Sequence, residues 1–375
     1  MSKLLSALGL MSGTSLDGID VALLRTDGEE AVIRGPSATY PYSPEQQALL
    51  RAALEEAKRL EARDARPGVL AEAEEALTRW HAEAVERFRE ENALSDSDID
   101  VIGFHGQTVI HRPERRLTVQ LGLGEALARR LGTTVVYDMR AKDVSAGGQG
   151  APLVPVYHRA LASGLAERPV ALVNIGGVAN MTWIGADGEL VAFDTGPGNA
   201  LLNDWCQRFT GEALDRDGAL AARGRADEAR LAALISNPYF SRPAPKSLDR
   251  NGFDPSVLEG LSPEDGAATL TRFTASAIAQ SAALVPEAPK LWVICGGGRR
   301  NPTLMRELKQ LLGAPRVVSA EEVGLDGDAM EAEAWAYLAV RCLKGLPITF
   351  PGTTGAPGPL SGGITAAPAA PPATG

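Results

Sequence analysis

Glycine gathers at three places in this chain of 375 residues, MSGTSLDG at 11–18, FDTGPGN at 193–199 and CGGGRRN at 295–301, and the first two also carry aspartate and hydroxyl side chains. Glycine has no Cβ, so the backbone N–H groups of such a stretch can close on phosphate oxygens. In the first stretch Gly13 and Gly18 frame the hydroxyls of Thr14 and Ser15, which can donate further hydrogen bonds. Asp17 and Asp20 can hold a magnesium ion through water. Three stretches of this kind point to a nucleotide. The alternative is a set of tight turns in a Gly-rich chain, since 40 of the 375 residues are glycine. The first stretch is longer than a two-residue hairpin requires, which favours a ligand there. The second stretch carries Asp194 after an apolar run and ahead of Gly196 and Gly198, which let a substrate approach. Asp194 can serve as a general base, or as the cap of a helix starting near Asn199.

Each stretch needs an element to hold it, and the apolar pattern supplies one. SALGLM and IDVALLRT read as strands on either side of the first turn. Two Ala/Glu/Arg-rich stretches at helical spacing follow, at about 44–62 and 69–92, the second with Trp80, Val85 and Phe88 on one face. DIDVIGFH at 98–105 reads as a strand ending in HGQT, LTVQLG as another, GEALARRLG as a helix closed by Gly132, and TTVVYDM as a third strand. DVSAGGQGAP at 143–152 is a Gly-rich connection, taken as the approximate hinge. Beyond it RPVALVNIGG, VANMTWIG and ELVAFDTGPGN repeat the opening pattern of strands that stop abruptly in polar turns. Helices at about 199–210, 226–236 and 266–284 lead to a strand in LWVICGGG, a helix from Pro302 and a last helix near 329–343. The expected organisation is α/β: a first lobe at 1–145, a second at 146–366 with the last helix able to return to the first, and a flexible tail at 367–375.

Composition narrows the function. The length favours two domains with a ligand cleft between them. The net charge of −10 and an aromatic content of 5% disfavour nucleic acid, although a small anion can still bind locally. Cys206, Cys295 and Cys342 lie far apart without metal-ligand spacing, which fits a reducing cytoplasm. No run of about 18 apolar residues is present, so no membrane span is expected.

Neither GxxxxGK[ST] nor a GxGxxG opening a helix after the first strand occurs, so P-loop and Rossmann readings fall. What remains is a fold that holds phosphates with hairpin turns from two facing lobes, the ribonuclease-H-like arrangement of the actin, hexokinase and heat-shock ATPase superfamily. The ordered set GLMSGTSLDGID, GFHGQT, AGGQGAPLVP, NIGGVANMT, FDTGPGN, CGGGRRN and LDGDAMEAEAWAYLA resembles the anhydro-N-acetylmuramic acid kinases from residue 9 to about 365. The resemblance implies an enzyme that uses ATP and water to open the 1,6-anhydro bond of 1,6-anhydro-N-acetylmuramic acid and to phosphorylate the freed O6. N-acetylmuramic acid 6-phosphate and ADP are the implied products, in peptidoglycan recycling.

Ring opening of that kind is a glycoside hydrolysis, so a carboxylate must activate water at the anomeric carbon while O6 departs towards a phosphate. Asp194 matches the family's catalytic aspartate. Glu331 falls in the first turn of the last helix, where the dipole favours a carboxylate, and the family match has it face the sugar and help place the water. His105 and Gln107 either reach a sugar hydroxyl or are structural. Arg140 either meets the lactyl carboxylate of muramic acid or pairs with Asp138 or Asp143. For the nucleotide, the run Gly13, Thr14, Ser15, Leu16, Asp17, Gly18, Ile19 and Asp20 is expected at the β- and γ-phosphates. Asn174, Gly176 and Gly177 are expected on the facing side, and Gly296, Gly297 and Gly298 at the adenosine. Asn180 is placed beside Asp194 as polar support, with Gly196, Gly198 and Asn199 around the sugar, and Lys142 is either a phosphate contact or solvated. The implied cofactors are ATP and Mg²⁺, with Asp17 and Asp20 on the metal through water, and the implied assembly admits a homodimer.

Two other readings compete. An ATP-gated binding protein of the same superfamily requires a peptide-binding region after the ATPase unit, for which 375 residues leave no room. A phosphotransferase acting on an open sugar or a carboxylate differs only in its substrate. Residues in 212–250, including PKSLDRNGFD, resemble a family segment near the cleft but carry no individual assignment.

Overall fold

The apolar run LSALGLMS forms a strand, β1 (Leu5–Ser12), and GIDVALLRT forms β2 (Gly18–Thr26), antiparallel to it with Met11 opposite Asp20. These elements come from a computed structural model, which describes residues 3–13, 15–248, 252–313 and 315–368. β3 (Val32–Pro41) pairs along the outer side of β2. It was not expected from the sequence, because it is mostly exposed and carries Gly35 and Pro36, which only an edge strand tolerates. β4 (Val101–Arg112) runs parallel to β1 on its other side, β5 (Leu117–Leu121) pairs antiparallel with the far half of β4, and β6 (Thr134–Tyr137) runs parallel to its near half. A short strand, Ile364–Ala366, closes the far edge against β6.

The strand expected to end at HGQT runs on to Arg112, and β4 is twelve residues long in all. The register between β1 and β4 slips there, Leu10 facing Phe104 and Ser12 facing Gln107, so His105 and Gly106 bulge out of the ladder. Gly106 sits at φ 69°, in the left-handed region, and a Cβ on it would lie 2.3 Å from the Leu121 carbonyl oxygen.

One face of this sheet is covered by the helices Pro44–Ala57, Leu70–Glu91 and Gly124–Leu131, whose Leu50, Leu77, Val85, Phe88 and Leu127 enter a common core with Leu8, Leu10 and Phe104. The helix Met330–Leu343 lies directly against β1 and β4. The approach is closed by absent side chains: a Cβ on Gly9 would fall 1.7 Å from the Ala332 oxygen, and one on Gly103 2.0 Å from the Trp335 oxygen. The chain divides into two compact units, Met1–Ser163 with Ala329–Gly375, and Gly164–Asp328. The Gly-rich stretch 143–152 lies inside the first.

The second unit repeats the plan. β7 (Val170–Ile175), β8 (Val178–Ile184) and β9 (Leu190–Pro197) form an antiparallel meander, and β10 (Leu291–Cys295) and β11 (Arg316–Ser319) add parallel strands beyond β7. The order β9-β8-β7-β10-β11 matches β3-β2-β1-β4-β6 of the first unit, strand for strand and direction for direction. Each unit is thus ribonuclease-H-like. β10 is buried at every position, as a central parallel strand must be. Helices Ala200–Thr210, Glu228–Ile235, Pro263–Gln280 and Pro302–Leu312 surround this sheet. Trp205, Tyr239, Phe240, Phe253 and Phe273 form part of a separate hydrophobic cluster in this unit. Among the described residues no helix is long and apolar enough to cross a membrane.

Candidate active site

The turn between β1 and β2 spans five residues, Gly13–Asp17, of which Thr14 lies outside the described residues. Leu16 adopts φ 59°, unusual for a branched side chain, with its N–H on the Gly13 oxygen at 3.2 Å and its side chain in the core. Ser15 and Asp17 face solvent, while Ile19 is buried. The two glycines differ. A Cβ on Gly13 would touch nothing nearer than 3.6 Å, so packing does not require glycine there, whereas one on Gly18 would meet the Tyr40 oxygen at 2.5 Å. Gln107, fully buried, holds the turn from beneath: its Nε2 donates to the Gly13 oxygen (3.2 Å) and its Oε1 accepts from Ser12 Oγ (2.7 Å). Asp20 accepts from Thr39 Oγ1 at 2.6 Å.

His105 is buried too. Arg140 Nη2 lies 3.1 Å from its Nε2, and since guanidinium only donates, Nε2 accepts and the ring proton sits on Nδ1, 3.2 Å from the Ser12 oxygen. The imidazole is therefore neutral, and burial together with the Arg140 charge holds its pKa well below the usual range. Arg140 also donates to the Gly150 oxygen at 2.8 Å and lies over the Trp335 ring. It pairs with neither Asp138 nor Asp143: Asp138 is taken by Arg63, and Asp143 accepts from Gly150 N and Thr354 Oγ1. Burial lowers the Arg140 pKa to about 10, opposed by the charge of Glu331. Glu331, in the first turn of its helix, makes no hydrogen bond or ion pair among the described residues. Loss of hydration and the nearby Asp20 raise its pKa, with Arg140 opposing. Lys142 is exposed and reaches Ser361 Oγ at 3.2 Å.

In the second unit Asp194 lies on β9 directly opposite Asn180 of β8. It does not cap the helix at 200–210, whose first residue follows Asn199 without a side-chain cap. Its Oδ2 accepts from Leu248 N at 2.8 Å, and its Oδ1 makes no hydrogen bond among the described residues. Burial raises its pKa to about 6, against the Leu248 N–H and the charge of Lys246, which favour the carboxylate.

The glycines around it divide by purpose. Cβ atoms on Gly196 and Gly198 would strike Ala277 (2.8 Å) and the Gly176 oxygen (2.3 Å), and those on Gly296 and Gly298 would strike Asn174 Oδ1 and Ile175. These four serve the chain's own packing, and Asn199 joins them by donating from Nδ2 to the Ile175 oxygen. Gly176, Gly177 and Gly297 have room for a Cβ, the nearest atoms standing at 3.7–3.9 Å, so packing does not require glycine there. A cavity of about 610 Å³, lined by Arg299, Arg300, Ser319, Glu321, Leu325, Asp326 and Asp328, begins two residues along the chain from Gly297. Arg299 braces it, donating to the Gly296 oxygen (2.9 Å) and pairing with Glu321 (2.7 Å) and Asp328 (3.0 Å). No trio of His, Cys, Asp or Glu among the described residues converges as a metal cage.

The sequence reading passed over Lys246, Tyr239 and Trp335. Lys246 and Tyr239 lie in the segment left unassigned, where the quoted PKSLDRNGFD includes Lys246 and stops short of Tyr239. Trp335 read as one more apolar residue of the last helix, yet its ring backs both Arg140 and His105.

The anhydro-N-acetylmuramic acid kinase family model matches residues 5–367. A protein of Bradyrhizobium diazoefficiens described as anhydro-N-acetylmuramic acid kinase is 56% identical over 366 residues, covering 97% of this chain and all of its own. One of the same description from Agrobacterium fabrum is 52% identical over 369 residues, covering 97% and 99%. Among solved structures, component A of (R)-2-hydroxyglutaryl-CoA dehydratase from Acidaminococcus fermentans superposes with a TM-score of 0.48 at 13% identity, over 90% of this chain and 98% of that one.

Proposed function

Since this chain belongs to the anhydro-N-acetylmuramic acid kinase family, we propose how its residues divide that family's reaction. The enzyme is an ATP-dependent sugar kinase of cell-wall recycling. It opens 1,6-anhydro-N-acetylmuramic acid hydrolytically and phosphorylates O6, yielding N-acetylmuramic acid 6-phosphate and ADP.

Asp194 is the general base. Its Oδ1 takes a proton from water as the water oxygen bonds to the anomeric carbon and the bond from that carbon to O6 breaks; O6 bonds to the γ-phosphorus while the bond from that phosphorus to the β,γ-bridging oxygen breaks and ADP leaves. The observation that carries this role is a carboxylate fixed through Oδ2, unbonded at Oδ1, with a pKa near 6 that leaves it ionised yet basic at neutral pH. Arg140, desolvated and already oriented by two acceptors, receives the lactyl carboxylate of the sugar. Glu331, without a hydrogen bond of its own, helps place the water. His105 and Gln107 act from behind these groups, and Asn180 supports Asp194 across the strand pair.

Gly13 to Asp20 receive the β- and γ-phosphates, and Asn174, Gly176 and Gly177 the facing side. Gly297 and the cavity that begins at Arg299 receive the adenosine, with Gly296 and Gly298 shaping the turn. Asp17, exposed, and Asp20 suit a magnesium ion held through water, because Mg²⁺ takes one or two carboxylates plus phosphate and keeps several waters. Such an ion would neutralise charge developing on the phosphoryl group.

Turnover in heavy-oxygen water tests the coupled reaction. Label is expected on the anomeric carbon of the product, with inversion, and none in phosphate. Asp194→Asn keeps the shape of the side chain and should lower turnover by ~10²–10⁴-fold while substrate still binds. Label in phosphate, or turnover near wild type in that variant, overturns the assignment.

A further inference from the structure

We propose that Lys246 is a positioning residue for Asp194, acting through the segment Tyr239–Leu248 that its ammonium ties into a closed loop. The proposal rests on Asp194 being the base.

That segment grips Asp194 by its backbone N–H, its carbonyl oxygen and one of its two carboxylate oxygens. The Asp194 N–H donates to the Lys246 oxygen at 2.9 Å, its carbonyl oxygen accepts from Tyr239 Oη at 2.6 Å, and its Oδ2 accepts from Leu248 N at 2.8 Å. The grips come from opposite ends of the loop, so the loop must be held shut for them to act together. Lys246 holds it: its Nζ donates to the Tyr239 oxygen (2.8 Å) and the Phe240 oxygen (3.2 Å) and stands 4.4 Å from the centre of the Tyr239 ring.

A lysine is an expensive choice for such a clamp. Lys246 is 7% exposed, so its charge is largely stripped of water, and it has no carboxylate in ion-pair range among the described residues. Burial and the neighbouring Arg242 lower its pKa to about 8, and Asp194 opposes that fall. The positive charge has one evident use beyond the clamp, which is to favour the ionised form of Asp194. Among the described residues, the charged or titratable groups that act on the aspartate are Lys246 and Tyr239, and Arg242 acts on the lysine.

Lys246→Met keeps the stem and removes the ammonium. The expected result is a kcat about tenfold or more below wild type, an unchanged KM for ATP, and an acid limb of kcat/KM moved to higher pH, with Lys246→Arg recovering part of the rate. A wild-type kcat and acid limb, with or without a lower Tm, overturn the proposal. If Lys246→Met does not fold, Tyr239→Phe decides: it removes one hydroxyl and leaves the clamp, and kcat should fall about threefold to tenfold at constant KM. An unchanged kcat in that variant overturns the proposal as well. Asp194→Asn run alongside separates the two readings, since its retaining full turnover removes the base itself, whereas its inactivity beside a normal Lys246→Met removes only the positioning role.

Discussion

Arg140 donates from Nη2 to Nε2 of His105 across 3.1 Å, and the same guanidinium lies over Trp335. The histidine is thereby a fixed acceptor with no proton on the nitrogen that faces the arginine. His105→Phe retains a flat ring against Trp335 but removes that acceptor. The KM for the anhydro sugar should rise about tenfold while the KM for ATP stays the same, the cost of one charge-assisted hydrogen bond that orients the arginine. Steady-state kinetics with each substrate varied in turn check it, and an unchanged sugar KM would detach His105 from sugar binding.

With Asp194 as the proposed base, the acid limb of the pH profile is expected to follow its titration. Its pKa in the folded enzyme is raised to about 6, so the basic form is lost as pH falls through that value. kcat/KM should then decline tenfold per unit below about pH 6 and be level just above it. His105 adds no break of its own near neutrality, because it stays unprotonated well below its usual range. A limb near 4, the ordinary carboxylate position, would mean that the base is a solvated group.

The two glycines of the first turn should separate binding from folding. Gly13→Val adds a side chain where the protein leaves room, so the variant should melt near the wild-type Tm and lose ATP binding. Gly18→Ala drives a Cβ into the Tyr40 carbonyl of the neighbouring strand, so it should cost about 1–3 kcal/mol of stability. Calorimetric melting and nucleotide titration of both variants make the comparison, and unaltered ATP affinity in Gly13→Val would take the phosphates elsewhere.

Much of this architecture was legible because the central strands are apolar along their length and the long helices are periodic. Asp194 stood out as a carboxylate between an apolar run and glycines, and it does lie on a strand opposite Asn180. β3 was illegible because an exposed edge strand buries too little to impose alternation. The run of β4 past His105 was hidden by Gly106, which reads as a stop and is a bulge. Lys246 was out of reach for another reason: the residues around it form short turns with no period, and their order comes from long-range contacts with Phe193, Asp194 and Phe273.

The unit built from both chain ends has a consequence for synthesis. Gly164–Asp328 is continuous, so everything it needs has left the ribosome once residue 328 has emerged. The first sheet, made much earlier, must wait: Gly9 and Gly103 remain bare until Ala332 and Trp335 arrive to cover them. Vectorial translation therefore favours completion of the inner unit first, reversing the usual order in which the amino-terminal part of a protein folds ahead of the rest. Throughout that interval the nascent chain carries an open face of β1 and β4, and a chaperone that shields apolar surface on ribosome-bound chains would find its target there.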